Sequence, residues 1–352
     1  MEKISSTVSL AVLAARCGVS RRVVAAVLSP HSGGTVGFSE ATREKVEAAA
    51  REAGYQGNRT ARWLARGRHG SIGIIARTSY LIPEAMMNGM QIAARKRGLF
   101  LILDRALKVD PPMFLEESCV DGLVSFDDLR EEDCRRVKRM DLPILWVNTN
   151  RREGLHVMSY DEYGAAKMAA EHLAERGWQH PMTLDFAGGD HYSADDRQAG
   201  AHAAAPKVVR FLSRTKTGGV EGEVEKRVDE IEQFLRRHPE IDSALAFHSA
   251  LVPPLYEALR RLAKHPGIDF GVVTFGRYGP SRSVFPLVTA LALDEQALGE
   301  RIVGSLEDRI EGRPVKELPI TVAYELIVRG STGPPVPREE TDPTERNCDE
   351  NR

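Results

Sequence analysis

Apolar residues recur along this chain at two different periods. Over the first seventy residues the period is helical. Leu10, Leu13 and Ala14 follow Ser9, a side chain suited to cap a helix, and Gly18 interrupts the run where a tight turn needs a residue tolerant of positive φ. Ser20 caps a second helix, whose Val23, Val24, Val27 and Leu28 form an apolar side. A third helix starts at Ser39, turns Thr42, Val46, Ala49 and Ala50 inward, and ends at Gly54. The stretch 9–28 thus predicts a helix-turn-helix. Its second helix carries Arg21 and Arg22 in the first turn, where a recognition helix reaches base edges and arginine can pair with guanine. An ordinary helical hairpin with solvated arginines is the alternative reading of this segment alone.

From residue 70 the pattern changes to short apolar runs separated by helical stretches. SIGIIA, LFLIL, VDGLVSF and LPILWVN form one set; HPMTLDFAG, VVRFLS, ALAFH and GVVTF form a second. PEAMMNGMQIAARKRG, VEKRVDEIEQFLRRH and PPLYEALRRLA read as helices between them. Strands of this kind, alternating with helices, predict parallel sheets covered on both faces. The fold class is α/β: a small all-α head followed by a two-lobed body. The last stretch, 334–352, is proline-rich and acidic without apolar period, and reads as a disordered tail.

Charge sharpens the division. Residues 1–70 hold 11 Lys and Arg against 5 Asp and Glu, whereas the whole chain has a net charge of −2. A basic module on an acidic remainder suits a DNA-binding head on a regulatory body. Hydrophobic residues at 42% and charged residues at 28% fit a soluble globular class. No run approaches the roughly 18 apolar residues of a membrane span, and MEKISSTVSL lacks the apolar core of a signal peptide. Cys17, Cys119, Cys134 and Cys348 show neither metal-ligand spacing nor disulfide density, as expected of a bacterial cytoplasmic protein. No metal or cofactor is expected. P-loop, HExxH, GxSxG and GxGxxG motifs are absent, and His248 next to Ser249 cannot serve as a hydrolase pair, because neighbours on a strand face opposite ways.

An ordered set of motifs completes the reading: GVS, V-x-x-V-L, S-E-x-T-R-x-x-V, GY-x-x-N-R-x-A-R-x-L, IGII and a closing ELIVRGST. With these the chain resembles the lactose/galactose repressor (LacI/GalR) family of bacterial transcription regulators from about Ser9 to Thr332. The resemblance implies a helix-turn-helix head at 1–57, a hinge at 58–69, a periplasmic-binding-protein-like, effector-binding and dimerising body at 70–333, and the tail. It implies a homodimer on a palindromic double-stranded operator, with repression the expected outcome. The implied DNA contacts are Ser20, Arg21, Arg22 and Ala26 on the head, and Asn58, Arg59, Ala61, Arg62 and Leu64 in the hinge. Leu64 falls where the family wedges a leucine between central base pairs; packing against its own body is the alternative.

The chain also departs from its relatives. PHSGGTVG (30–37) lengthens the connection before the third helix, and Val23 and Ala25 replace recognition-helix hydroxyls. The implied effector contacts are Asn148, Tyr160, Arg197, His248 and Arg277. His248-Ser249 stands in place of the usual Asn-Asp pair, and Gly276 in place of an aspartate. Losing such acceptors disfavours a neutral-sugar site and suits an anionic metabolite, or no effector at all. Arg197 has a second possible role, an ion pair to Asp195 or Asp196. Two further readings stay open: a small-molecule binding protein with a vestigial head, and a DNA binder without effector control.

Overall fold

The computed structural model describes residues 9–28, 36–55, 67–76, 82–104, 112–150, 157–215, 222–276, 279–315 and 320–333. They form two compact units, Met1–Gly70 and Ser71–Arg352. Residues 56–66, which include most of the expected hinge, and 334–352, the expected tail, lie outside the described residues, as do 30–35 of the lengthened connection.

In the first unit, α1 (Leu10–Cys17), α2 (Arg21–Leu28) and α3 (Glu40–Glu52) enclose Leu13, Ala14, Cys17, Val24, Val27, Val46, Ala49 and Ala50. Local chemistry sets the ends of these helices. Ser9 Oγ accepts from the Val12 amide and Ser39 Oγ from the Thr42 amide, each satisfying a donor that the first turn leaves unpaired. Gly18 adopts φ 65° and closes α1, which makes the tight turn expected from the sequence. Gly54 does the same after α3, with φ 60° and the Tyr55 amide bonded back to Ala50 O at 2.8 Å.

The second unit contains two six-stranded sheets. The first joins β1 (Ser71–Ile75), β2 (Phe100–Asp104), β3 (Gly122–Ser125), β4 (Ile144–Val147), β5 (Val157–Tyr160) and β11 (Ile320–Val322) in the order β11-β5-β4-β3-β1-β2. The second joins β6 (Pro181–Phe186), β7 (Val209–Ser213), β8 (Ser243–Ala246), β9 (Gly271–Phe275), β10 (Thr289–Ala292) and β12 (Glu325–Ile327) in the order β12-β10-β9-β8-β6-β7. All neighbours pair parallel except β10 and β12. Every residue of β1, β3, β8 and β9 is buried, because helices cover both faces. The edge strand β7 instead alternates, with Arg210 and Leu212 outward. The strands β5, β10, β11 and β12 are not among the runs picked out in the sequence.

The helices of this unit are α4 (Glu84–Arg97), α5 (Met113–Glu116), α6 (Glu131–Arg139), α7 (Glu162–Glu175), α8 (Tyr192–Ala204), α9 (Glu223–Arg237), α10 (Val252–Arg261) and α11 (Glu295–Ile310). The chain passes between the two sheets three times. It leaves the first sheet at β5 for α7, returns from β10 to α11, and crosses again between β11 and β12. No helix among the described residues is long and apolar enough to cross a membrane.

Two helix pairs meet at the closest approach that backbone allows. α11 lies on α4, where a Cβ on Gly89 would run into the Gln296 carbonyl and one on Gly299 into the Met86 carbonyl. α8 lies on α7 with Gly200 against the Tyr163 carbonyl. A methyl group at these positions meets backbone, which cannot rotate away. Gly89→Ala and Gly200→Ala are each expected to destabilise the body by about 1–3 kcal/mol. Urea denaturation of each variant checks this, and an unchanged midpoint would show that the helices part at no cost.

Candidate nucleic-acid interface and cleft

Ser20 begins α2 as expected: its Oγ accepts from the Val23 amide at 3.3 Å and its carbonyl from the Val23 and Val24 amides. Arg21 and Arg22 follow on the exposed side of the first turn, and Ala26 is half-buried one turn on. The arginines of this unit divide sharply. Arg16 is paired with Glu52, Arg43 with Glu40 and Arg51 with Glu47. Arg21 and Arg22 meet no carboxylate among the described residues, and α2 has no acidic residue in its first turn. Two guanidinium groups at a helix N-terminus, where the helix dipole adds positive potential, form an anion-seeking point. Asn58, Arg59, Ala61, Arg62 and Leu64 lie outside the described residues.

In the second unit the candidate cleft lies at the carboxyl ends of the two sheets. Asn148 follows β4 and adopts φ 50°. Its Oδ1 accepts from Tyr192 Oη at 2.6 Å, and its carbonyl accepts from His191 Nε2 at 2.8 Å. Tyr160, the last residue of β5, is buried, and its amide donates to Tyr192 Oη at 3.2 Å. Burial, with Glu162 nearby, drives its phenol well above the ordinary tyrosine range. Thr149, also buried, has a hydroxyl with no hydrogen-bond partner.

Arg197 is buried, and its partner is neither of the two aspartates beside it. Nε donates to Glu162 Oε2 at 2.8 Å, Nη1 donates to the Phe247 carbonyl, and the guanidinium lies 3.9 Å from the centre of the Phe275 ring. The reason is helical geometry. Residues one or two apart on a helix point in different directions, so Asp195 remains exposed while Arg197 faces α7. Burial acts to lower the Arg197 pKa, but Glu162 and Tyr324 carry it above its ordinary value. Glu162 Oε1 accepts from Tyr324 Oη at 3.1 Å, and Tyr324 packs edge-on against Tyr160 and Phe275.

His248 follows β8, its ring tilted against Phe186 and its Nε2 3.1 Å from Asp185 Oδ1. Burial pushes the imidazole down to about 4. The same burial raises the Asp185 carboxyl, against its bond from the Phe186 amide and the nearby Arg197 charge. Burial thus disfavours the charged imidazole even though its Nε2 faces the Asp185 carboxyl. Arg277 lies outside the described residues. Of the three cations read from the sequence as an anion site, Arg197 is neutralised by Glu162 and His248 carries no charge near neutrality. The residues that sequence reasoning missed here are Glu162, His191, Tyr192, Asn150 and Tyr324. Glu162 and Tyr192 open helices and the others lie in the connections beside strand ends, positions that carry no signal of their own in the sequence. Among the described residues no group of three or more His, Cys, Asp or Glu could hold a metal ion.

Comparison with known proteins adds the following. A periplasmic binding protein-like domain matches residues 170–332. The chain is 24% identical over 339 residues to the HTH-type transcriptional regulator GntR of Pseudomonas aeruginosa, covering 91% of this chain and 94% of that one. It is 23% identical to the regulator CelR of Thermobifida fusca, covering 92% and 98%. Among solved structures, the Lac repressor dimer bound to operator and the anti-inducer ONPF superposes with a TM-score of 0.71 at 21% identity, covering 93% of this chain and 100% of that one. A CelR–cellobiose complex superposes with a TM-score of 0.61 at 20% identity, covering 92% and 99%.

The His248 environment predicts an acid-side loss of stability. The unfolded chain takes up the proton near the ordinary 6.5, whereas the folded chain resists until about 4. Stability contributed by neutral His248 is therefore lost as pH falls through that interval. Buried His172, also shifted down, acts in the same direction. His248→Gln is expected to flatten the decline of melting temperature between pH 6.5 and 4; a decline as steep as in the natural chain would refute the assignment.

Proposed function

We propose that this chain, which belongs with the LacI-family transcriptional regulators that are its homologues, binds a palindromic double-stranded operator as a homodimer and represses transcription. Its relatives are regulators rather than enzymes, and so is this chain. The observation that carries the DNA reading is the division of head arginines. Those of α1 and α3 are paired with glutamates, while Arg21 and Arg22 are left for another anion. Together with Ser20 and Ala26 they form the base-facing surface of the recognition helix. Asn58, Arg59, Ala61, Arg62 and Leu64 form the hinge between head and body, with the arginines on phosphates and Leu64 as a minor-groove wedge. A protein acting on DNA in a bacterium works in the cytoplasm.

The body supplies the dimer contacts and the effector cleft. One structural neighbour is a cellobiose complex; in this chain Asn148, Tyr160, Arg197 and His248, and Arg277 by the resemblance alone, are the contacts proposed for a sugar or an anionic metabolite. A second reading, DNA binding without effector control, is favoured by a specific observation: Arg197 and His248 already have internal partners in Glu162 and Asp185.

Selection of bound duplexes from random DNA tests the main reading and is expected to return a two-fold symmetric site. On that site Arg22→Ala should cost about 1–3 kcal/mol and relax one base position. Arg59→Ala should weaken all sequences alike and reduce the salt dependence. Equal losses on matched and mismatched duplexes for Arg22→Ala would remove it from base reading.

A further inference from the structure

The two lobes are tied across the cleft by side chains of the chain itself. The loop after β4, in the first lobe, and the N-terminus of α8, in the second, exchange a set of hydrogen bonds at one place. Tyr192 Oη donates to Asn148 Oδ1 at 2.6 Å and accepts from the Tyr160 amide at 3.2 Å. The Tyr192 amide donates to Asn150 Oδ1 at 2.8 Å, and Asn150 Nδ2 donates to the Asp190 carbonyl at 3.2 Å. His191 Nε2 donates to the Asn148 carbonyl at 2.8 Å, while its Nδ1 accepts from the Ser193 amide at 3.3 Å. Thus His191 caps α8 and contacts the other lobe with a single tautomer. Five residues further along the helix, Arg197 is held by Glu162 at 2.8 Å.

We infer that the N-terminus of α8 is a strap, with Tyr192 as its buckle, that holds the two lobes together across the cleft through bonds of the chain itself. The phenol of Tyr192 both donates to and accepts from the first lobe, so it satisfies the polar groups there that an incoming molecule would otherwise meet. Opening the cleft requires the Tyr192 and Asn150 bonds to break together, because both sit on the first residue of one helix. Lobe spacing is thereby set by the chain, and a molecule entering the cleft must compete with Tyr192.

The strap makes its bonds through two amides that report on each other. Tyr192→Phe removes the acceptor of the Tyr160 amide but leaves Asn150 facing the amide of residue 192. Asn150→Ala does the converse. Amide hydrogen exchange of the full chain is measured for both variants, with the amides of β1 as the control for an intact fold. In each variant the amide whose own partner is retained is expected to exchange about tenfold faster, since loss of one residue's pair of bonds releases the rest of the strap. If each variant alters only the amide it deprives, the bonds are independent and there is no strap. The measurement uses no DNA. A chain that failed to select an operator would overturn the regulatory reading and leave this one standing.

Discussion

The buried contact of Arg197 with Glu162 is the constraint around which the body is arranged. Glu162 is fully buried and Arg197 nearly so, and neither charge could stay there alone. Removing one partner from such a pair costs about 3–5 kcal/mol, because the other is left uncompensated. The place of the pair gives it reach. Glu162 opens α7 at the first passage between the lobes, and Tyr324, which donates to it, lies on the third passage between β11 and β12. Glu295, buried at the start of α11 on the second passage, acts with Glu162 on the Tyr160 phenol. The first and third segments that join the lobes therefore share one polar and aromatic cluster.

Around that cluster the lobes are stiff. α4 and α11 in one lobe, and α7 and α8 in the other, approach so closely that glycine is required at the contacts. Strands buried on both faces leave little freedom for sliding. The two lobes are joined by the passages and by the contact of Asn148 and Asn150 with the N-terminus of α8. A regulator that signals by lobe movement needs this division into rigid blocks and few joints, since a soft body would absorb a ligand's effect locally.

The head uses charge differently. Its core is apolar and small, and its helix ends are satisfied by serine caps and left-handed glycines. Arg16, Arg43 and Arg51 are tied to glutamates of the same unit, which offsets their charge. Arg21 and Arg22, where α2 begins, meet no carboxylate among the described residues. In the body the opposite holds: polar and charged groups at the cleft are drawn inward and partner each other, Arg197 with Glu162 and neutral His248 with Asp185.

Features set by neighbours in the chain were legible in the sequence. Ser9, Ser39, Gly18 and Gly54 act within a few residues of where they stand, so caps and turns could be read directly, as could the apolar runs of β1, β3, β8 and β9. The motifs that carry the resemblance to the LacI/GalR family are of the same local kind. The partners of the cleft residues were not legible. Glu162 stands one residue past a helix cap, a position where a glutamate ordinarily faces solvent, and it meets Arg197 only because α7 and α8 pack against each other. Tyr192 and Asn148 lie 44 residues apart and come together across two sheets. Sequence by itself determined which residues could carry charge or a hydrogen bond at the strand ends. Tertiary structure decided whom they serve, because that depends on the direction of side chains from separate elements.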